Sequence, residues 1–188
     1  MQVAVTDRHL CNGDFLEHLR KMLAEEHLGM LILREKDLDV ITYIELAKQV
    51  MEVCADNNVE FVISSCIPAL KALHKAEAIQ LSIQQLCDNQ CLGRYYKVGC
   101  SVHSAEEAAE AESLGASYLI AGHIFATDCK KDIPPRGLDF LREVVSAVKI
   151  PVYAIGGINR ENCRNVLECG AAGYCMMSEL MRKRFSEV

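Results

Sequence analysis

Tryptophan is absent from the 188 residues, aromatics make up only 6%, and no apolar run approaches the ~18 residues that a membrane span requires. A transmembrane helix is therefore excluded as an expectation. No basic-then-apolar leader opens the chain, since Met1 to Thr6 runs straight into Asp7 and Arg8, so no signal peptide is expected and the protein is placed in the cytoplasm. A basic excess is missing too. Acidic residues number 26 against 20 basic, a net charge of −6, and apart from Arg182, Lys183 and Arg184 the cations are scattered, which argues against nucleic acid as a partner. That cationic run reads as a solvated last helical turn.

The chain has ten cysteines but no C-x-x-C pair, and neither Cys87 with Cys91 nor Cys163, Cys169 and Cys175 has zinc-ribbon spacing. Most of them read as reduced, small, buried hydrophobes. The 51% hydrophobic content excludes disorder and suffices for a sizeable core. At roughly 100–200 residues per domain the chain reads as one domain, residues 1–188.

Short apolar strands alternate with amphipathic helices along the whole chain, the pattern of βα units in a parallel sheet. The expected strands are Gln2–Thr6, Met30–Arg34, Glu60–Ser64, Ala78–Leu81, Lys97–Ser101, Ser117–Ala121, Val152–Gly156 and Tyr174–Met177. Helical spacing is clearest at Ile44, Ala47, Met51 and Cys54, and at Leu138, Leu141, Val145 and Val148. Ser104 with Glu107 forms a capping box, and the stretch from Leu86 to Tyr96 holds a short helix or none. Two segments repeat each other, with Gly115 and then Gly170 closing a helix before a strand, where a left-handed cap is needed. Repetition of this unit through eight strands predicts an α/β fold, a small (β/α)8 barrel, rather than an open sheet.

Barrel chemistry sits at the carboxyl ends of strands, with phosphate commonly at the loops after strands seven and eight. After the seventh come Gly156 and Gly157, ahead of a helix expected to start near Asn159; after the eighth come Met177 and Ser178. Their bare backbone suits an anion, and a plain tight turn is the other reading. The longest irregular stretch, Ile124 to Arg136, carries Thr127, Cys129 and Lys130 and reads as a lid over an anionic ligand or as a solvated loop. At its root stands His123, a core histidine or an acid/base. Arg34 and Lys36 project the same way from the end of strand two, to hold a phosphate or carboxylate or to pair with Glu35 or Asp37. Ser64, Ser65, Gln80, Ser101 and His103 are polar candidates at other strand ends.

Val5-Thr6-Asp7-Arg8, Leu33-Arg34-Glu35-Lys36, Gly99 to Ser104, Gly122 to Lys131 and Pro151 to Asn159 together resemble the thiamine phosphate synthase and TenI superfamily over nearly the whole chain. The resemblance implies a (β/α)8 barrel, a homodimer, and a thiazole phosphate bound at the strand-seven and strand-eight loops. The synthase branch joins thiazole phosphate to a pyrimidine diphosphate and holds Mg²⁺ on two aspartates, one in an Asn-Asp-Arg pattern after strand three and one in a Gly-Gln-Glu-Asp-like pattern after strand four. This chain has Ser64-Ser65-Cys66 and Ser82-Ile83-Gln84-Gln85 there, poor ligands for a hard cation. It also has Gly122-His123-Ile124-Phe125 where the synthase has Gly-Pro-Ile-Phe. His123, the run Thr127 to Lys131 and Ile79-Gln80-Leu81 look like the TenI-type thiazole tautomerase. That resemblance implies a small-molecule thiazole phosphate substrate, no metal or other cofactor, no nucleic acid and no membrane. His123 becomes the acid/base, and an imidazole near pH ~6.5 suits such a proton shift. Gly156, Gly157, Met177 and Ser178 become the phosphate site, and Thr127, Cys129 and Lys130 the cover, with Arg34 and Lys36 at the mouth. Alternatives are an Mg²⁺-dependent thiamine phosphate synthase and a non-catalytic regulator that binds thiazole phosphate.

Overall fold

The computed structural model describes residues 1–127 and 133–185. Eight parallel strands close into a barrel in chain order, β1 (Gln2–Val5), β2 (Leu28–Leu33), β3 (Glu60–Ser64), β4 (Ala78–Ser82), β5 (Lys97–Val102), β6 (Tyr118–Gly122), β7 (Val152–Ile155) and β8 (Gly173–Met176). Between and after them lie α1 (Phe15–Glu25), α2 (Val40–Asp56), α3 (Ile67–Ala72), α4 (Ile83–Asp88), α5 (Ala105–Ser113), α6 (Gly137–Ala147), α7 (Cys163–Glu168) and α8 (Ser178–Met181). All eight expected strands are present, and the small barrel fold is as the alternation predicts. The stretch after β4 holds α4 and a 3₁₀ segment over Gln90–Arg94. No helix among the described residues is long and apolar enough to cross a membrane.

The described chain divides into two compact units, Gln2–Ile79 with 177–185, and Gln80–Met176 with Met1. In the first, β1, β2 and β3 pair in parallel with Val5 opposite Ile32 and Leu31 opposite Phe61. Asp14 and Asp39 cap α1 and α2, each side chain accepting from first-turn N–H groups that have no helical partner. The buried stripe of α2 is Tyr43, Ala47, Val50, Val53 and Cys54, so the expected stripe is rotated by one residue and Ile44 and Met51 are half-buried. Tyr43 explains the rotation: its hydroxyl donates to the Leu33 carbonyl at 2.6 Å and accepts from Ser64 N–H at 3.1 Å, tying the ends of β2 and β3.

Glu35 is the buried charge of this unit, 3% exposed. It accepts from the Thr6 hydroxyl (2.6 Å), from Arg8 N–H (3.1 Å) and from Arg8 Nη1 (3.0 Å), while the same guanidinium also pairs with Asp37. Both carboxylates take Arg8 from the β1 loop, which corrects Arg34 as the expected partner of Glu35. Neighbouring side chains on an extended strand point to opposite faces, so Arg34 cannot meet Glu35. The Arg8 guanidinium beside Asp37 holds that carboxyl well below the usual range. Glu35→Gln leaves a neutral amide buried against the half-buried Arg8 guanidinium and costs about 2–4 kcal/mol, read as a lowered urea midpoint at constant m-value.

His18, on α1, donates from Nε2 to the Leu180 carbonyl at 3.1 Å and meets the Phe185 ring edge-on at 5.0 Å. Burial lowers its pKa, with the Leu180 hydrogen bond opposing. The unfolded chain therefore takes up this proton first as pH falls, so the stability His18 contributes is complete above the ordinary imidazole range and is lost as pH falls through it. Thermal melts from pH 7.5 down to 5.5 are expected to show a decline of at most about 1.4 kcal/mol per pH unit from this group, and His18→Gln removes that share of the slope. Beyond α8 the cationic run is not a helical turn, contrary to expectation. Lys183 leaves the helix axis to pair with Glu26 (2.7 Å) and Glu25 (3.3 Å).

In the second unit β5 through β8 pair in parallel, with Ser101 opposite Ile120 and Ala121 opposite Ala154. β6 is buried from end to end, as a strand covered on both faces must be. Gly115 and Gly170 adopt φ of +90° and +88°, the left-handed caps expected of the repeat. Ser104 caps α5 by accepting from Glu107 N–H, but the Glu107 carboxylate accepts from His103 N–H at 2.7 Å rather than from Ser104, so the capping box is half-formed. The nine described cysteines are free thiols, with Cys54, Cys100, Cys169 and Cys175 buried; the others are partly or fully exposed, fewer burials than expected. Burial pushes the thiols of Cys54 and Cys100 up to about 12, which keeps them protonated and poor nucleophiles.

Candidate active site

The carboxyl ends of β5, β6 and β7 converge on His123, the residue that follows β6. It is 4% exposed, and the Gly122–His123 peptide is cis. Four hydrogen bonds surround it. His103 Nδ1 donates to the Gly122 carbonyl at 2.8 Å, Arg136 N–H donates to the His123 carbonyl at 3.0 Å, Ile124 N–H donates to the Ile155 carbonyl at 2.9 Å, and the ring Nε2 lies 3.2 Å from the Ile133 carbonyl. Position and ring orientation are both set by main-chain partners.

The loop after β7 packs against this segment. Gly156 (φ +104°) faces His123 so closely that an added Cβ would stand 2.2 Å from the His123 Cβ, and one on Gly157 (φ +63°) would stand 2.3 Å from the Ala126 carbonyl oxygen. The glycines are therefore required first by the approach of the β6 loop. Asn162 Nδ2 donates to the Gly157 carbonyl at 2.9 Å, and Asn159 and Asn162 exchange side-chain to backbone bonds. These bonds correct the expected helix start: Asn159 makes a turn and α7 begins only at Cys163.

Deeper along β4 and β5, Gln80 Nε2 donates to the Ser101 hydroxyl at 3.0 Å. Gly99 makes room for this pair, because a Cβ there would fall 2.1 Å from Gln80 Oε1. Gln80 is 5% exposed, and its Oε1 has no hydrogen-bond partner among the described residues. Thr127 is half-buried beside Ala126, whereas Cys129 and Lys130 lie outside the described residues.

The other expected residues belong to the first unit. Arg34 is half-buried at the end of β2, its N–H donating to Thr6 Oγ1 at 2.9 Å, and Lys36 is exposed. Ser64 ends β3, its N–H bonded to Tyr43; Ser65 follows at φ +60°. Met177 caps α8, which Ser178 opens. Sequence reasoning missed Glu35 as the hub of this region and His103 as the brace of Gly122. A charged residue in an otherwise apolar strand end was the available signal for the first; for the second there was none beyond its strand-end position.

Residues 2–180 match the family described as thiamine monophosphate synthase. The chain belongs to that family. A thiamine-phosphate synthase of Syntrophomonas wolfei is 36% identical over 182 residues, covering 94% of this chain and 86% of the relative. One from Pyrococcus horikoshii is 56% identical over 84 residues, 45% of this chain and 41% of the relative. Among solved structures, a thiamine phosphate pyrophosphorylase from Pyrococcus furiosus superposes with a TM-score of 0.86 at 32% identity, covering 98% of this chain and 88% of that one.

The Mg²⁺ donors expected of the synthase branch are missing from this member of the thiamine monophosphate synthase family. The Ser82 hydroxyl caps α4 by accepting from Gln85 N–H, and the Gln85 side chain accepts from Ser82 N–H, so both are engaged in a reciprocal capping box. At the end of β3 the chain offers Ser64, Ser65 and Cys66, with no carboxylate. No group of three His, Cys, Asp or Glu among the described residues is placed to hold a metal ion. Neutral oxygen donors of this kind do not fit a cation that selects anionic oxygen.

Proposed function

We propose that this member of the thiamine monophosphate synthase family is a thiazole tautomerase, an isomerase that converts a non-aromatic thiazole carboxylate phosphate into its aromatic isomer. His123 carries the reading: a buried imidazole held in one orientation at the end of β6, against a Gly-Gly loop. The reaction is a proton shift. The C–H bond at the ring carbon bearing the carboxylate breaks, its electron pair enters the ring, the exocyclic double bond becomes single, and a new C–H bond forms at the exocyclic carbon. Atoms and charge balance with no redox partner. His123 takes the first proton and returns it at the second carbon, a distance that one fixed imidazole spans only if the substrate is held still. Backbone N–H groups around Gly156 and Gly157 offer donors for the substrate phosphate, and the Ser101 hydroxyl, held by Gln80, offers one for a carboxylate or ring nitrogen.

The relatives' names favour a second reading, the Mg²⁺-dependent coupling of thiazole phosphate to a pyrimidine diphosphate. The donor set argues for the isomerase. Purified protein mixed with the non-aromatic tautomer in D₂O without metal is expected to consume the ring C–H signal and turn the exocyclic CH into a methylene, followed by NMR. Product that forms only with added Mg²⁺ and the pyrimidine diphosphate would instead establish the synthase.

A further inference from the structure

We propose that the Ile133 carbonyl, held by Pro134 and Pro135, selects the tautomer of His123 and so makes Nδ1 the atom that moves the proton. The inference rests on the isomerase reading for its kinetic consequence, but its structural content stands independently. A carbonyl oxygen only accepts, so the 3.2 Å contact puts the hydrogen of the neutral ring on Nε2. The lone pair is left on Nδ1. Which nitrogen of a histidine acts is set by the bond the other one makes, and a main-chain carbonyl serves as well as a carboxylate without adding charge.

The segment that supplies this carbonyl is docked on the end of β6 at three points. Besides Ile133 to His123, Arg136 N–H donates to the His123 carbonyl and Gly137 N–H to the Ile124 carbonyl, both at 3.0 Å. The Ile133 side chain takes no part in burial, being 54% exposed. What distinguishes the segment is its backbone. A residue before proline is confined to extended conformations, and here Ile133 and Pro134 both precede one. Two fixed φ angles follow. The Ile133 carbonyl is thus aimed before the ring arrives, and the ring need not choose between tautomers during turnover. This makes Ile133, Pro134 and Pro135 positioning residues, acting through His123.

Protein labelled with ¹⁵N-histidine, observed in long-range proton–nitrogen spectra at a pH where His123 is neutral, is expected to show His123 protonated on Nε2 alone. A proton on Nδ1 in the wild type overturns the proposal outright. The Pro134→Gly/Pro135→Gly protein is expected to show both tautomers and a kcat lower by about tenfold, with KM within about twofold, the population cost of releasing two restricted residues. A double-glycine protein that retains the single tautomer and full kcat would show that the prolines do not hold the clamp. If the wild type fails to isomerise the thiazole, the isomerase reading falls while the nitrogen spectrum still decides the tautomer.

Discussion

On the proposed isomerase reading, His123→Ala is expected to lower the rate of thiazole isomerisation by about 10²–10⁴-fold, the usual contribution of a positioned acid/base, and to leave the barrel folded. The two effects separate because of how His123 is held. Its main-chain partners, Arg136 N–H on the His123 carbonyl and His103 on the Gly122 carbonyl, survive removal of the ring. Only the contact from Nε2 to the Ile133 carbonyl and the ring's packing are lost. A cost of about 1–2 kcal/mol is expected, small against the stability of a domain of this size. NMR of tautomer consumption gives the rate, and thermal melting with near-ultraviolet circular dichroism reports the fold. Undiminished turnover in a folded His123→Ala protein would end the acid/base assignment.

Gly156→Ala is the second large effect, and it strikes stability and chemistry together. At φ +104° an alanine is strained by about 1–3 kcal/mol. Its Cβ would also stand 2.2 Å from the His123 Cβ, 2.7 Å from the His123 Cα and 3.2 Å from Ile124 N. None of these atoms can escape by rotating a side chain, so the β6 loop must move and carry the imidazole with it. The sum is roughly 3 kcal/mol or more, a fall of about 6–12 °C in Tm at this chain length. Turnover is expected to fall towards the His123→Ala level. Gly13→Ala isolates the conformational part, since Gly13 has a similar φ of +92° with nothing within 4 Å of its missing Cβ. It is expected to lose about 1 kcal/mol and no activity. Equal losses in the two proteins would mean that packing against His123 counts for little.

These expectations show how unevenly the site is written along the chain. His123, Gly156 and Gly157 were legible because each lies next to a strand end that apolar periodicity marks out. Gln80 and Ser101 were legible as strand-end polar residues, but their mutual bond across neighbouring strands was not. Glu35 was read as a partner for its own neighbours, and the structure gives it to Arg8, 27 residues away in sequence. The α7 start was misplaced because Asn159, a good helix cap, is also a good turn former, and the Gly157 carbonyl recruits Asn162 to close the turn.

Period-two and helical patterns, glycine caps and the motif runs from Val5 to Asn159 determined by themselves the eight-stranded barrel and the family, since these are local signals repeated through the chain. Tertiary structure alone decided which nitrogen of His123 meets a carbonyl, why Gly156 must lack a side chain, and that Glu35 takes Arg8 as its partner. Each of these depends on atoms brought within about 3 Å by the pairing of strands or the closing of a loop. Hydrogen bonds of that length are chosen by packing, which no residue can specify alone.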